Sequence, residues 1–134
     1  MRRPVFAALL LAACAVPVGE DRSSCGPEWL DVEPVVTSAR GADERAVPID
    51  CMHQIANRRV RVGFTLPAGP SCYLLRRVEL LESADAVSIT LFAAVDDDPA
   101  AGACPEEPRP VATEIDVAAP LGDRTLLDGS SAAE

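Results

Sequence analysis

Residues 58–66 read Arg-Arg-Val-Arg-Val-Gly-Phe-Thr-Leu, and this stretch decides the fold class. Its apolar side chains occupy every second position, at Val60, Val62, Phe64 and Leu66. A period of two is typical of a strand that turns one face to the core and the other to solvent. The following Pro-Ala-Gly-Pro sequence ends the pattern, so we predict a half-buried strand here.

The same alternation recurs along the chain. It is strongest over residues 87–95 and 111–117. Shorter apolar stretches predict further strands at residues 33–38, 46–49 and 121–127, and small, charged or Pro-rich stretches predict loops at residues 39–45 and 96–110. Six to seven short strands predict an all-β fold, a small β-sandwich or barrel of antiparallel strands stapled by disulfides.

Residues 72–82 fit two patterns. Leu74, Val78 and Leu81 have the spacing of one helix face, whereas Leu74, Val78 and Leu80 fit the inward face of a strand. Because the neighbouring segments on both sides are predicted strands, we favour a strand.

The amino terminus has the features of an export signal. Arg2 and Arg3 precede the apolar run 5–13, which is far shorter than the ~20 residues that span a bilayer. Such a run is typical of a signal peptide.

The end of this signal, Leu11-Ala12-Ala13-Cys14, resembles the bacterial lipobox. The resemblance implies that the Cys14 thiol carries lipid and that Cys14 becomes the first residue of the mature chain. The alternative is ordinary signal-peptide cleavage after Ala15, because Ala13-Cys14-Ala15 is also a small-x-small site. The expected location is therefore the outer face of the cell membrane, with a soluble secreted chain as the alternative.

The chain of 134 residues has room for one small domain. The run after Cys14 contains Pro, Gly, charges and Ser without periodicity, as in a tether. The predicted organisation is a signal peptide at 1–13, a flexible tether at 14–30, the β-domain at 31–129 and a frayed tail at 130–134.

The cysteine count is odd, at five. Assigning Cys14 to lipid, or removing it with the cleaved signal peptide, leaves Cys25, Cys51, Cys72 and Cys104, the number needed for two disulfides in an oxidising compartment. Three pairings are possible. We favour Cys25–Cys51 and Cys72–Cys104, because sequential pairs close short loops.

The net charge of −9 limits the partners. Removal of residues 1–13 takes away Arg2 and Arg3 and makes the remaining chain still more acidic. This charge repels phosphate backbones and anionic head groups, so we expect no nucleic-acid partner and no electrostatic membrane footprint. The expected membrane contact is the lipid itself, and a protein or cell-envelope partner is left unspecified.

The carboxyl-terminal part of the chain resembles small exported proteins of actinobacteria. The residues that carry the resemblance are Cys72, Val78–Glu82, Val87–Leu91, Cys104 and the Pro-Leu-Gly-Asp-Arg-Thr-Leu-Leu-Asp-Gly sequence at 120–129. The absence of Lys among the twelve basic residues agrees with a high-GC genome of this kind. The resemblance implies a β-sandwich-like exported module, supports the Cys72–Cys104 bridge and implies no activity or cofactor.

Asp123, Arg124 and Asp128 are candidates for an anion- or ligand-binding clamp. The alternative that we favour is structural: Gly122 and Asp123 form a turn, and Arg124 pairs with a carboxylate to fix the last strand.

Two further alternatives involve chemistry. A metal carrier would use Cys51, Met52 and His53, although adjacent strand residues point to opposite faces. A small extracytoplasmic hydrolase would need acids such as Glu79, Glu82 and Asp123 to converge in one pocket.

No catalytic signature is found in the sequence. It has no Gly-x-Ser-x-Gly elbow and no Cys-x-x-Cys pair. The run Asp96-Asp97-Asp98 lacks the alternate spacing of calcium loops. We predict no metal site and no cofactor, a packing role for Trp29, and a non-enzymatic binding or interaction module.

Overall fold

The computed structural model describes residues 25–67, 72–97 and 107–130. The elements in chain order are α1 (Pro27–Leu30), β1 (Ala42–Val47), β2 (Ile49–Ala56), β3 (Arg59–Leu66), β4 (Tyr73–Glu82), β5 (Ala86–Val95), β6 (Arg109–Asp116) and β7 (Thr125–Asp128). The all-β prediction is confirmed.

The strands form two sheets. The first sheet has the order β1-β5-β4, and the short β7 lies beside the first half of β5, on the edge whose second half pairs with β1. The second sheet has the order β2-β3-β6. All pairs are antiparallel except β5–β7, which is parallel.

The inner faces of the two sheets pack together and form the core. The most deeply buried members are Met52, Val60, Val62 and Phe64 from the second sheet and Val87, Ile89 and Leu91 from the first. Burying a side chain of this size contributes roughly 1.5–3 kcal/mol, so the alternating strands supply most of the driving force for folding. The predicted inward face of residues 58–66 is confirmed, but the strand is not half-buried as predicted, because Arg61 and Gly63 on its other face are buried as well.

β4 is a strand, as predicted, but the set of positions that face the core changes partway along it. The pairing with β5 shifts between Leu75 and Arg77, where β4 contains a bulge. A bulge adds one residue and moves the following side chains to the other face. Leu75 is therefore buried before the bulge and Val78 and Leu80 pack on the core after it, whereas Leu74 is not part of the core.

The predicted strand at residues 33–38 is wrong. This segment crosses from one sheet edge to the other: the Val35 N–H donates to the Ala112 carbonyl at 2.8 Å, and the Ser38 N–H donates to the Leu75 carbonyl at 2.9 Å. Because it bonds to β6 at one end and β4 at the other, it forms a ladder with neither.

The predicted boundaries between residues 39 and 56 are also wrong. β1 begins at Ala42, inside the predicted loop, and β2 extends to Ala56. The predicted strand at residues 46–49 spans a corner at Pro48, where the chain leaves the first sheet and enters the second. Proline has no N–H for a ladder, so a change of sheet is a suitable place for it.

The later loop is partly outside the described residues, because residues 98–106 are not described. β6 begins at Arg109, two residues before the predicted strand. Pro110 is tolerated there because β6 is an edge strand.

Candidate functional site

The predicted strand at residues 121–127 is wrong in its first half, because a tight turn occupies Gly122 and Asp123 and β7 begins only at Thr125. The turn itself is the structural alternative that the sequence analysis favoured for Gly122 and Asp123. The Arg124 N–H donates to the Leu121 carbonyl at 2.9 Å, and Gly122 between them has a positive φ of 51°. Glycine adopts this left-handed conformation without steric cost. The turn directs the Arg124 side chain back towards the hairpin between β4 and β5.

The Arg124 guanidinium is enclosed by acceptors. It donates to the Glu82 carboxylate at 3.0 Å and to the carbonyls of Ser83, Ala119 and Pro120 at 3.2, 2.7 and 3.1 Å. Its side chain is only 10% exposed. Arg124 therefore fixes the last strand by pairing with a carboxylate, which is the structural alternative favoured from the sequence.

Glu82 is the acidic centre of this cluster. One of its carboxylate oxygens accepts the Ala118 N–H at 2.7 Å, and the other accepts from Arg124. The Ala118 hydrogen bond, with the Arg124 charge in addition, lowers the pKa of Glu82 below its ordinary value. The ionised carboxylate thus joins the β4–β5 hairpin to the loop that follows β6.

Asp128 belongs to a different network. Its carboxylate accepts the Ile49 N–H at 3.0 Å and the Ser130 N–H at 2.9 Å, and so ties the end of β7 to the start of β2. Asp123 is exposed at the turn. The structure does not assemble Asp123, Arg124 and Asp128 into one ligand clamp. Arg124 bonds to Glu82 and nearby carbonyls, whereas Asp128 bonds to the N–H groups of Ile49 and Ser130.

The acids considered for hydrolysis are also separated. Glu79 pairs with Arg77 at 3.0 Å on the exposed face of β4, whereas Glu82 is held by Arg124. Residues three apart on a strand point to opposite faces, so these two carboxylates do not converge. Asp123 stays at the surface.

Arg77 organises the outer face of the first sheet. Its guanidinium contacts Glu44 at 2.9 Å and Glu79 at 3.0 Å, and its terminal carbon lies 3.9 Å from the centre of the Phe92 ring. The hydrogen bonds to Glu44 and then Glu79 raise the pKa of Arg77. This cation–π contact and the two ion pairs hold Arg77 flat against β5.

The disulfide framework is confirmed where it is described. Cys25 and Cys51 are bonded, with their Cα atoms 5.1 Å apart, and both are buried. Cys72 is also disulfide-bonded. Its predicted partner, Cys104, lies outside the described residues.

This bond makes the proposed metal triad wrong. The Cys51 sulfur is already bonded to Cys25, and the side chain of Met52 is fully buried in the core, on the face of β2 opposite to Cys51. His53 therefore has neither sulfur as a co-ligand. Within the described ranges, no group of three His, Cys, Asp or Glu side chains is placed to hold a metal ion.

Trp29 of α1 packs on the outer face of the second sheet at Gly63. A Cβ atom at Gly63 would come within 2.6 Å of both the Trp29 ring and the Cys51 sulfur. The Trp29 indole N–H donates to the Phe64 carbonyl at 3.2 Å. The predicted packing role of Trp29 is confirmed, and glycine at position 63 makes the close approach possible.

Arg61 is a structural residue whose role the sequence analysis missed. It lies on the same outer face as Gly63, it is only 7% exposed, and it donates to the carbonyls of Trp29 and Val32 and to the Glu114 carboxylate. An Arg at the polar position of an alternating strand predicts a solvated side chain, so only the tertiary contact with the preceding segment reveals its role. Residues 25–30, which fall in the predicted tether, are thereby attached to the domain.

Shallow grooves follow the segment that crosses between the sheets. Three adjoining ones have volumes of about 290, 320 and 240 Å³. The first is lined by Val36, Val78 and Ile115, and the side chain of Val36 is 84% exposed. None of the predicted clamp residues lines these three grooves.

Comparisons with protein-family models, with curated proteins and with solved structures gave no match. No helix among the described residues is long and apolar enough to cross a membrane.

Proposed function

We propose that this chain is an exported lipoprotein of the actinobacterial kind, held at the outer face of the membrane by lipid on Cys14, and that its sandwich is a non-enzymatic interaction module. The tether in this proposal runs from Cys14 to Cys25, where the disulfide attaches the chain to the second sheet.

The observation that carries the proposal is the Cys25–Cys51 disulfide. Disulfides persist in oxidising compartments and are rare in the reducing cytosol. Cys72 is oxidised as well, so three of the four cysteines in the predicted framework are disulfide-bonded. Together with the lipobox-like sequence before Cys14, this favours export.

The interaction role is supported by how the polar side chains are used. Arg124, Glu82 and Asp128 each hold two parts of the fold together, and their hydrogen-bonding groups face protein partners. By contrast, the side chain of Leu81 on the edge strand β4 is 71% exposed. An exposed apolar side chain beside a strand edge that no described strand covers favours contact with another protein over catalysis.

The anchor is tested by comparing the native chain with the Cys14→Ser variant in a bacterial host. The variant keeps a small-x-small cleavage site, so it is exported and cut but has no thiol for lipid. We expect the native chain in the membrane fraction and the variant in the soluble extracytoplasmic fraction. If both chains are released equally, the anchor is wrong.

A further inference from the structure

β4 is an edge strand, and no described strand pairs with the outer side of its second half. The Ser83 N–H donates to the Ala86 carbonyl, so Ser83 turns its backbone groups towards β5. Backbone groups alternate along an antiparallel strand, so those of Val78, Leu80 and Glu82 point away from β5. Each of these residues offers an N–H and a C=O to a further strand.

The described neighbours cover only the beginning of this edge. The Ser38 N–H donates to the Leu75 carbonyl, and the Arg76 side chain donates to the Ala39 carbonyl. Among the described residues, no backbone group outside β5 bonds to the backbone of residues 77–82, although the Ala118 N–H bonds to the Glu82 side chain. About six residues of β4 are therefore available for pairing.

Charge changes sign along this edge. The first half carries Arg76 and Arg77, and the second half carries Glu79 and Glu82. An antiparallel copy of the same strand places the basic half of one chain beside the acidic half of the other. A parallel copy in register places every charge beside its like, which is unfavourable, whereas the antiparallel copy does so only at Glu79 on the axis. The occupant that this edge fits best is a second copy of the chain.

We propose that two copies of this protein pair antiparallel through β4, with the two-fold axis at Glu79. The proposal rests on the interaction role proposed above and names its partner. Val78 then pairs with Leu80 of the second copy, and this pair joins the two cores. The two first sheets become one continuous sheet across the axis.

The outer face agrees with this register. Arg77 lies opposite Leu81 of the second copy, so the most exposed leucine of the described residues lies beside the first carbons of the Arg77 side chain, whose guanidinium stays over Phe92. The two Glu79 carboxylates meet at the axis, flanked diagonally by both Arg77 guanidinium groups. The Arg77–Glu79 ion pairs of the two chains thus form one cluster of four charges at the axis.

The expected association is weak in dilute solution and stronger on a membrane. A single strand pair buries less than the ~1,200 Å² typical of stable interfaces, and both copies are acidic. Attachment of both chains to one surface raises their effective concentration and compensates for a small interface. This explains why an edge of this kind suits an anchored protein.

The register is tested by cysteine cross-linking of the full chain in membranes, with a mild oxidant that accepts the two electrons of disulfide formation. At the axis, the two copies of residue 79 form a non-hydrogen-bonded pair with Cα atoms about 4.5 Å apart, within disulfide reach. We expect the Glu79→Cys variant to give a covalent dimer that reductant dissociates.

The matched control is the Leu81→Cys variant. Leu81 and Glu79 are both exposed, so random collision would cross-link the control as readily as the test variant. In the proposed register, the two copies of residue 81 lie roughly 13 Å apart along the strand, beyond disulfide reach. Equal cross-linking of both variants, or none at position 79, overturns the proposal.

A second comparison keeps the test independent of cysteine. Glu79→Arg surrounds the axis with four positive charges, whereas Glu107→Arg makes the same charge change at an exposed site elsewhere. We expect Glu79→Arg alone to reduce the dimer fraction several-fold, as measured in membranes by resonance energy transfer between chains that carry donor and acceptor fluorophores at their carboxyl termini. Equal dimer fractions contradict the pairing. A cross-link between chains that carry no lipid supports the pairing and contradicts only the anchor, so the two proposals fail separately.

Discussion

Two arginines, Arg61 and Arg124, hold the segments that flank the strands. Each guanidinium is nearly enclosed and donates to one carboxylate and at least two backbone carbonyls. Arginine suits this role because its planar fork has five donors and stays charged in a partly buried setting. The carbonyls of irregular segments would otherwise lack partners.

Replacement of Arg61 is expected to destabilise the protein strongly. Arg61→Met keeps much of the apolar stem but leaves the Trp29 and Val32 carbonyls and the Glu114 carboxylate without their donor. We expect a loss of about 2–4 kcal/mol in the free energy of unfolding, measured by urea denaturation with disulfides intact. The control is Arg59→Met, on the same strand but exposed, which should leave the midpoint nearly unchanged. Equal midpoints for the two variants would contradict the role of Arg61.

Glu82 gives the fold an acid-sensitive contact. Because its pKa is lowered in the folded state, its contribution to stability is complete above the ordinary glutamate pKa. That contribution is lost as the pH falls below the ordinary pKa towards the lowered one. In the Glu82→Gln variant we expect a lower Tm at neutral pH and a smaller further drop on acidification than in the native protein. Thermal melts across the acid range measure this, and parallel curves for both proteins would refute it.

At the scale of elements, prediction from sequence succeeded where one side of a strand faces the core. In β3, β5 and β6 the apolar side chains stand at alternate positions because these side chains form the core between the two sheets, and the sequence shows that alternation directly. It failed where tertiary contacts decide the conformation. The conformation of residues 33–38 and of the corner at Pro48 depends on which sheet edges lie nearby. The order of apolar and polar residues in these segments does not show which edges those are.

The site residues show the same division. The turn at Gly122 and the pairing of Arg124 follow from local chemistry and were predicted. The buried position of Arg61 was missed, because its partners lie about thirty residues away in the chain. The spacing of Gly63 among apolar residues was the available signal, since a glycine inside a strand often marks a close approach.

The contact between α1 and β3 is tested at Gly63. In the Gly63→Ala variant, the new Cβ meets the Trp29 ring and the Cys51 sulfur, neither of which is a flexible chain end. We expect a loss of about 1–3 kcal/mol in unfolding free energy and a change in the fluorescence of Trp29, the single tryptophan. The control is Gly26→Ala, whose Cβ meets only the movable Glu28 side chain. Similar effects at both positions would exclude the proposed packing.

At the scale of the whole molecule, a small two-layer core is supplemented by covalent bonds. The Cys25–Cys51 bridge spans 26 residues and attaches α1 to β2. Restriction of the unfolded chain by a loop of this length is worth about 3 kcal/mol. We expect the Cys25→Ala/Cys51→Ala double variant to lose about that much in denaturant unfolding. A change of only a few tenths of a kcal/mol would show that the bridge adds little to the fold.

The central claim is that this sandwich is exported, oxidised and lipid-anchored, and one measurement tests all three parts. The intact mass of the membrane-extracted native chain is recorded first without reduction and then with it. We expect a chain that starts at Cys14 and carries lipid mass, and that gains two hydrogen atoms for each of two disulfides on reduction. A soluble chain that begins at Val16, or a mass that does not change on reduction, would contradict the account.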